Sequence, residues 1–318
     1  MTREVLGIPL SETVKYLKFG QKKKKPKKRQ LPLDLKTTTN VPKPKRTKTS
    51  EEEECIITGV TKMSKESQHK MKNPEYHIDD SDRETILKNG CLTDIHIGKA
   101  QNLLKEKHPH IQGLQSTTLG IVGQFDVICG EFVQILHTDS YHWLCASNIG
   151  LEKTNVVNIY DSKYNGIKMF TKKQIAALLH TPSDEILLQV QPVTQQNNGF
   201  DCGVFSIAFA VALCNGVDPS TLNFKRRDIR SHLWHCLTNK SMEMFPTVST
   251  SSSNSPTGPM KTVKIQIYCT CRLPYSSKDD MVECVSCAKW YHKECQQVPD
   301  RVFREKNMLW KCSFCAQG

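Results

Sequence analysis

The sequence predicts an α+β fold joined to a small C-terminal unit held together by metal. Three observations carry this. Strand-like and helix-like apolar patterns mix between about Tyr76 and Leu237 with no internal repeat, seven of the 14 cysteines crowd the last 50 residues at paired spacings, and a Ser/Thr/Pro stretch separates the two regions. A chain of 318 residues has room for about two domains plus tails.

Residues 1–75 are expected to be a disordered basic tail. Residues 1–50 hold 15 Lys/Arg against 3 acids, which accounts for the whole formal charge of +12. The block Lys22–Arg29 (KKKKPKKR) reads as a nuclear-import signal and places the protein in the nucleus. Nucleic-acid contact through residues 22–48 would be weak and unspecific, because no aromatic residues interleave with the charges to stack on bases. No secretory signal pattern opens the chain, and its longest apolar uncharged run, Gly203–Val217, is shorter than the ~20 residues of a membrane helix. No membrane partner is expected. A reducing compartment follows, so paired cysteines suggest metal rather than disulfides.

The globular pattern runs over residues 76–245. Thr93 caps a helix on which Ile97, Ala100, Leu103 and Leu104 share a face. Phe132–His137, His142–Asn148, Asn155–Asp161 and Glu185–Val193 read as strands. Thr171 is expected to cap a helix reaching His180, which Pro182 stops. An apolar helix follows Cys202, and a closing helix lies near Asp228–Leu237. Residues 246–263 form a flexible linker, and residues 264–318 the metal unit.

In that unit the spacing is Cys269-x-Cys271, Cys284-x₂-Cys287, His292-x₂-Cys295, Cys312-x₂-Cys315. Eight thiolate or imidazole donors make two closed tetrahedral zinc sites, and so small a segment needs the metal to fold. The two Zn²⁺ ions would be structural, with none needed for catalysis. The pattern resembles the PHD finger more than the RING finger, by ligand order and by Trp310 two residues before Cys312. The resemblance implies cross-bracing, with Cys269, Cys271, His292 and Cys295 on one zinc and Cys284, Cys287, Cys312 and Cys315 on the other. It also implies a methyl-lysine cage from Tyr268, Tyr275, Met281 and Trp290, which would hold a methylated histone tail through cation–π attraction. Asp279, Asp280 and Glu283 would pair with basic residues of such a tail.

In the larger region His142-Trp143, then Asp161, then Gln196 and Cys202 within QNNGFDCG occur in order. A cysteine nucleophile needs a base, a carboxylate to orient that base, and donors for the oxyanion. His142, Asp161 and Gln196 supply these, and a cysteine at a helix start is favoured as thiolate by backbone N–H groups. Each residue alone has an ordinary structural reading. Together they resemble the ubiquitin-like-protein-specific (SUMO/sentrin-type) proteases, from about Leu92 to about residue 240. The resemblance implies a papain-like fold, a triad of Cys202, His142 and Asp161, and Gln196 as oxyanion donor. Trp143 would wall a tunnel for the Gly-Gly tail of a ubiquitin-like modifier. Cys91 stands where these proteases usually carry tryptophan. Cys55, Cys129, Cys145, Cys214 and Cys236 also lack paired spacing, and none of the six is assigned chemistry. The expected function is a nuclear thiol (iso)peptidase directed to methylated chromatin. The alternatives are a catalytically silent reader that only binds a modifier, and a mobile-element-derived protease with an unrelated substrate.

Overall fold

The computed structural model describes residues 78–138, 141–248, 256, 258–305 and 308–317. The basic tail with its Lys/Arg block lies outside the described residues. Helix α1 (Asp80–Leu87) starts at a reciprocal cap: the Asp82 N–H donates to the Asp79 carboxylate at 2.8 Å, and the Asp79 N–H to Asp82 at 3.2 Å. Helix α2 (Asp94–Lys107) follows Thr93 and buries the predicted face of Ile97, Ala100, Leu103 and Leu104. Then come β1 (Gln112–Gly113), α3 (Thr117–Ile121), β2 (Phe132–His137), β3 (Trp143–Ser147), β4 (Val156–Tyr160), α4 (Met169–Leu179) and β5 (Glu185–Gln191). Helices α5 (Cys202–Cys214) and α6 (Ile229–Thr238) and strand β6 (Lys261–Gln266) complete the larger unit.

One six-stranded sheet runs in the order β1 to β6. Strands β2, β3 and β4 are antiparallel, β4 and β5 parallel, and β5 and β6 antiparallel. Every residue of β2, β3 and β4 is buried because both sheet faces are covered. The period of two sorts them: Val133 and Ile135 join the cluster under α2, α5 and α6, while Phe132 and Leu136 join the one under α4. Helix α5 is buried along all of its length, which explains an apolar sequence with no polar face.

Three details differ from expectation. Helix α4 begins at Met169, two residues before the predicted cap, so Thr171 is an interior residue with 1% exposure. Helices α1 and α3 and strand β1 lack an apolar period long enough to read. The largest difference is β6. It pairs with β5 from Glu185↔Gln266 to Val190↔Lys261, so the predicted boundary at 263/264 falls inside a strand of the six-stranded sheet. The start of the supposed linker is pinned as well, since the Lys225 N–H donates to Pro246 at 2.9 Å and the Val248 N–H to Asn223 at 2.7 Å. Residues 249–255 and 257 lie outside the described residues.

Candidate functional site

Strand β3 and the end of β4 bring the candidate base and carboxylate together. His142 precedes β3, just after Tyr141, whose φ of 52° is left-handed. The Thr138 N–H donates to the His142 carbonyl at 2.8 Å. His142 Nε2 lies 2.6 Å from Asp161 Oδ1, with Asp161 3% exposed. Use of Nε2 for the carboxylate leaves Nδ1 for the thiol. Burial alone pushes the imidazole pKa down, but the Asp161 carboxylate and the Cys202 sulfur outweigh it and raise it to about 9. Cys202 opens α5 and is buried. Burial pushes the Cys214 thiol up to about 12 and raises the Cys145 thiol too, which disfavours the thiolate of both at neutral pH.

The loop before Cys202 is ordered by residues that the sequence did not single out. Ser162 follows Asp161 and holds Gln196 twice: its carbonyl accepts the Gln196 N–H at 2.9 Å, and its hydroxyl donates to Gln196 Oε1 at 2.6 Å. Gln196 Nε2 donates to the Asn198 carbonyl at 2.7 Å, which uses one of its two N–H groups. Asn198 Oδ1 accepts the N–H groups of Phe200 and Asp201, at 3.1 and 3.0 Å, in an Asx-type turn. Gln195 Nε2 donates to the Asp161 carbonyl at 3.0 Å. The turn-forming run Asn197-Asn198-Gly199 was the available signal for this loop.

A cavity of about 200 Å³ opens beside His142, Asp161 and Gln196, lined also by Tyr141, Lys163 and Thr171. Trp143 is not in its lining. The indole is 5% exposed, donates to the Leu92 carbonyl at 3.0 Å and meets His137 edge-on.

Beyond β6, the small unit contains β7 (Met281–Glu283) paired with β8 (Trp290–His292), and the short helices α7 (Asp300–Arg304) and α8 (Ser313–Ala316). The donor atoms of Cys269, Cys271, His292 and Cys295 gather within 4.8 Å of one another, as do those of Cys284, Cys287, Cys312 and Cys315. Each set can hold a metal ion. Sulfurs on a tetrahedral zinc at ~2.3 Å stand roughly 3.8 Å apart, and Cys287 Sγ and Cys312 Sγ are separated by 4.0 Å. In the first set His292 presents Nδ1, 3.2 Å from Cys271 Sγ, while its Nε2 lies 3.6 Å from Asp279. A carboxylate behind a ligating imidazole orients the ring.

Tyr268, Tyr275 and Trp290 are half-buried around the same cluster, and Met281 is buried in it. Asp279 accepts the Ser276 N–H at 3.0 Å and lies 3.3 Å from Lys173 Nζ of α4. The unit docks on the six-stranded sheet through Arg272 as well. Its guanidinium donates to the carbonyls of Thr181 (2.9 Å), Pro182 (3.0 Å) and Ser183, and pairs with Asp184 at 3.3 Å. Ile265 and Ile267 are buried in the cluster under α4.

Comparison with known proteins bears on both units. Residues 132–247 match the family model of the Ulp1 protease family, C-terminal catalytic domain. Among solved structures, the SUMO protease Ulp1 with its catalytic cysteine oxidised to a sulfinic acid is similar at 16% identity and a TM-score of 0.40, over 53% of this chain and 87% of that one. The Ulp1 protease domain in complex with Smt3, the yeast ortholog of SUMO, gives 16% and 0.39, over 51% and 83%. Among curated proteins, the chromatin remodeling protein SHL of Arabidopsis thaliana is 38% identical over 42 residues, 13% of this chain and 18% of that protein. The chromatin remodeling protein EBS, also of Arabidopsis thaliana, is 41% identical over 39 residues, 12% of this chain and 17% of that protein. The chain thus spans less than a fifth of the length of these curated relatives. Taken with the His142–Asp161 pair beside Cys202, the match to residues 132–247 shows that this chain carries the catalytic domain of a cysteine-type peptidase.

Proposed function

We propose that the protein is a nuclear thiol (iso)peptidase that cleaves after the Gly-Gly tail of a ubiquitin-like modifier such as SUMO. The observation that carries this is the 2.6 Å His142–Asp161 contact beside a cysteine at the start of a buried helix, within a segment matching the Ulp1-type catalytic domain. The Cys202 thiolate attacks the glycine carbonyl, and the tetrahedral oxyanion takes hydrogen bonds from the second N–H of Gln196 and the Cys202 backbone N–H. The His142 imidazolium gives its proton to the leaving amine, and water then hydrolyses the thioester with His142 as base. Asp161 keeps the ring oriented throughout.

The small unit binds two zinc ions as a PHD-type finger, and Tyr268, Tyr275, Met281 and Trp290 read methylated lysine on a histone tail. The eight-donor geometry supports this, as does likeness to two proteins named for chromatin remodeling. The deciding experiment is covalent capture by SUMO, NEDD8 and ubiquitin probes that end in a cysteine-reactive electrophile after Gly-Gly. One probe should form an adduct that is lost in Cys202→Ala. If folded, zinc-loaded protein captures none of them, the modifier reading is wrong.

A further inference from the structure

We infer that Arg230 is a positioning residue for the peptidase site, holding the nucleophile loop against the α1–α2 connection. Arg230 lies in α6, outside every motif that marks the active site, and is 7% exposed. All five of its guanidinium N–H donors are used. Nε donates to Asp201 Oδ1 at 2.6 Å; Nη1 donates to the carbonyls of Thr85 (3.2 Å) and Ile86 (2.8 Å); Nη2 donates to those of Gly90 (3.0 Å) and Phe200 (2.9 Å). The guanidinium also lies over the Phe200 ring, 5.2 Å from its centroid. Only arginine offers five donors in a rigid fork, so lysine cannot replace it here.

The two segments held by this fork are the ones that shape the nucleophile. Phe200 and Asp201 immediately precede Cys202. The second Asp201 oxygen accepts Asn198 Nδ2 at 2.7 Å, and the Asn198 carbonyl accepts Gln196 Nε2. Arg230 is therefore joined through Asp201 and Asn198 to the candidate oxyanion donor. On the other side, Gly90 stands two residues before Leu92, whose carbonyl takes the Trp143 indole N–H. The Leu92 side chain packs directly on Gly203, where an added Cβ would come within 2.8 Å of Leu92 Cβ. The start of α5 is thus wedged between Leu92 and the loop, and the Arg230 fork sets the distance between those two walls. A surface ion pair would not need this burial or a full set of acceptors. A misplacement of ~1 Å at a reacting group can cost about 100-fold in rate, so a remote clamp of this kind should register in the chemistry.

The inference rests on the cysteine-peptidase reading and not on the identity of the modifier, so its test uses a small reagent. The rate of Cys202 alkylation by iodoacetamide is measured against pH in the full zinc-loaded chain, with Cys202→Ala as the blank. Arg230→Lys is expected to stay folded by circular dichroism, slow alkylation by about tenfold or more, and displace the pH profile. A folded Arg230→Lys with an unchanged rate and profile would overturn the assignment. If that variant does not fold, Asp201→Asn replaces it, since it keeps the four carbonyl contacts and removes one charge. A smaller displacement in the same direction supports the clamp, and an unchanged profile overturns it. If Cys202→Ala is alkylated like the native chain, Cys202 is not the reactive thiol, and the peptidase reading fails separately.

Discussion

The catalytic domain and the small C-terminal unit reach a fixed shape by different means. The first buries two apolar clusters on the two faces of one sheet, with phenylalanines at 205, 209 and 224 filling the interior. The second has one buried cluster in which three of five members, Cys269, Cys284 and Cys312, are candidate metal donors, and another of three valines. A large core stabilises by area removed from water, whereas so small a unit would depend on bonds that exist only when ligand and metal are both present. The lesson is that the two should fail under different insults while sharing a boundary strand.

Metal withdrawal should give the largest effect. Structural zinc contributes about 10–16 kcal/mol of apparent folding free energy in isolated fingers at pH 7, far more than the small unit's apolar contacts can replace. A strong chelator should erase the NMR signals of residues 267–317 while the catalytic domain keeps a cooperative unfolding transition at a lower temperature. Loss of both at once would mean that the docking strand makes them one cooperative unit, and loss of neither would refute metal-dependent folding.

The response to pH should have opposite signs in the two regions. The folded pKa of His142, about 9, lies above its ordinary value of 6.5. Its pairing with Asp161 therefore contributes fully below pH ~6.5 and is lost as pH rises through about 9. The small unit should weaken in the other direction, because acid protonates the thiolates and imidazole that would hold its metal ions. Alkylation of Cys202 should thus show an alkaline limb near 9 in the native chain, and Asp161→Asn should move that limb down. A limb that stays in place would separate Asp161 from the titration of His142. The smallest effect is expected from Trp290→Ala, which should leave the alkylation rate untouched. It should weaken a trimethyl-lysine histone peptide by about 30-fold, the equivalent of ~2 kcal/mol of cation–π attraction. Unchanged peptide affinity in a calorimetric titration would remove the cage.

Much of the catalytic domain was legible because its signals are local or periodic. Phe132–His137 matches β2 residue for residue, and the unbroken apolar run after Cys202 is α5. The order His142, Asp161, Gln196, Cys202 brought the site into view because chemistry restricts which residue types can serve. What was hidden depends on partners far away in the chain. Arg230 reads as one more charge on an amphipathic helix until Asp201, Thr85 and Gly90 surround it. Asp279 reads as a free acid until Lys173, 106 residues earlier, reaches it. Strand β6 was missed because an edge strand is wet on one side: Lys261, Thr262, Lys264 and Gln266 are exposed, and only Ile265 is buried. Its half-polar pattern beside a Ser/Thr/Pro run looks like more linker.

Strand β6 also changes what the two units can do jointly. A loose tether lets a bound tail and a cleavage site meet at many separations, raising local concentration over a volume. Here the strand that leads into the first candidate metal ligands is itself the rim of the catalytic sheet, with Arg272 fastened to the turn before β5. Under the proposed function, the span from methyl-lysine cage to thiol is then a built-in ruler. Conjugates whose scissile bond lies at that span from the methyl mark are engaged at both ends, and those at other spans are held by one end alone.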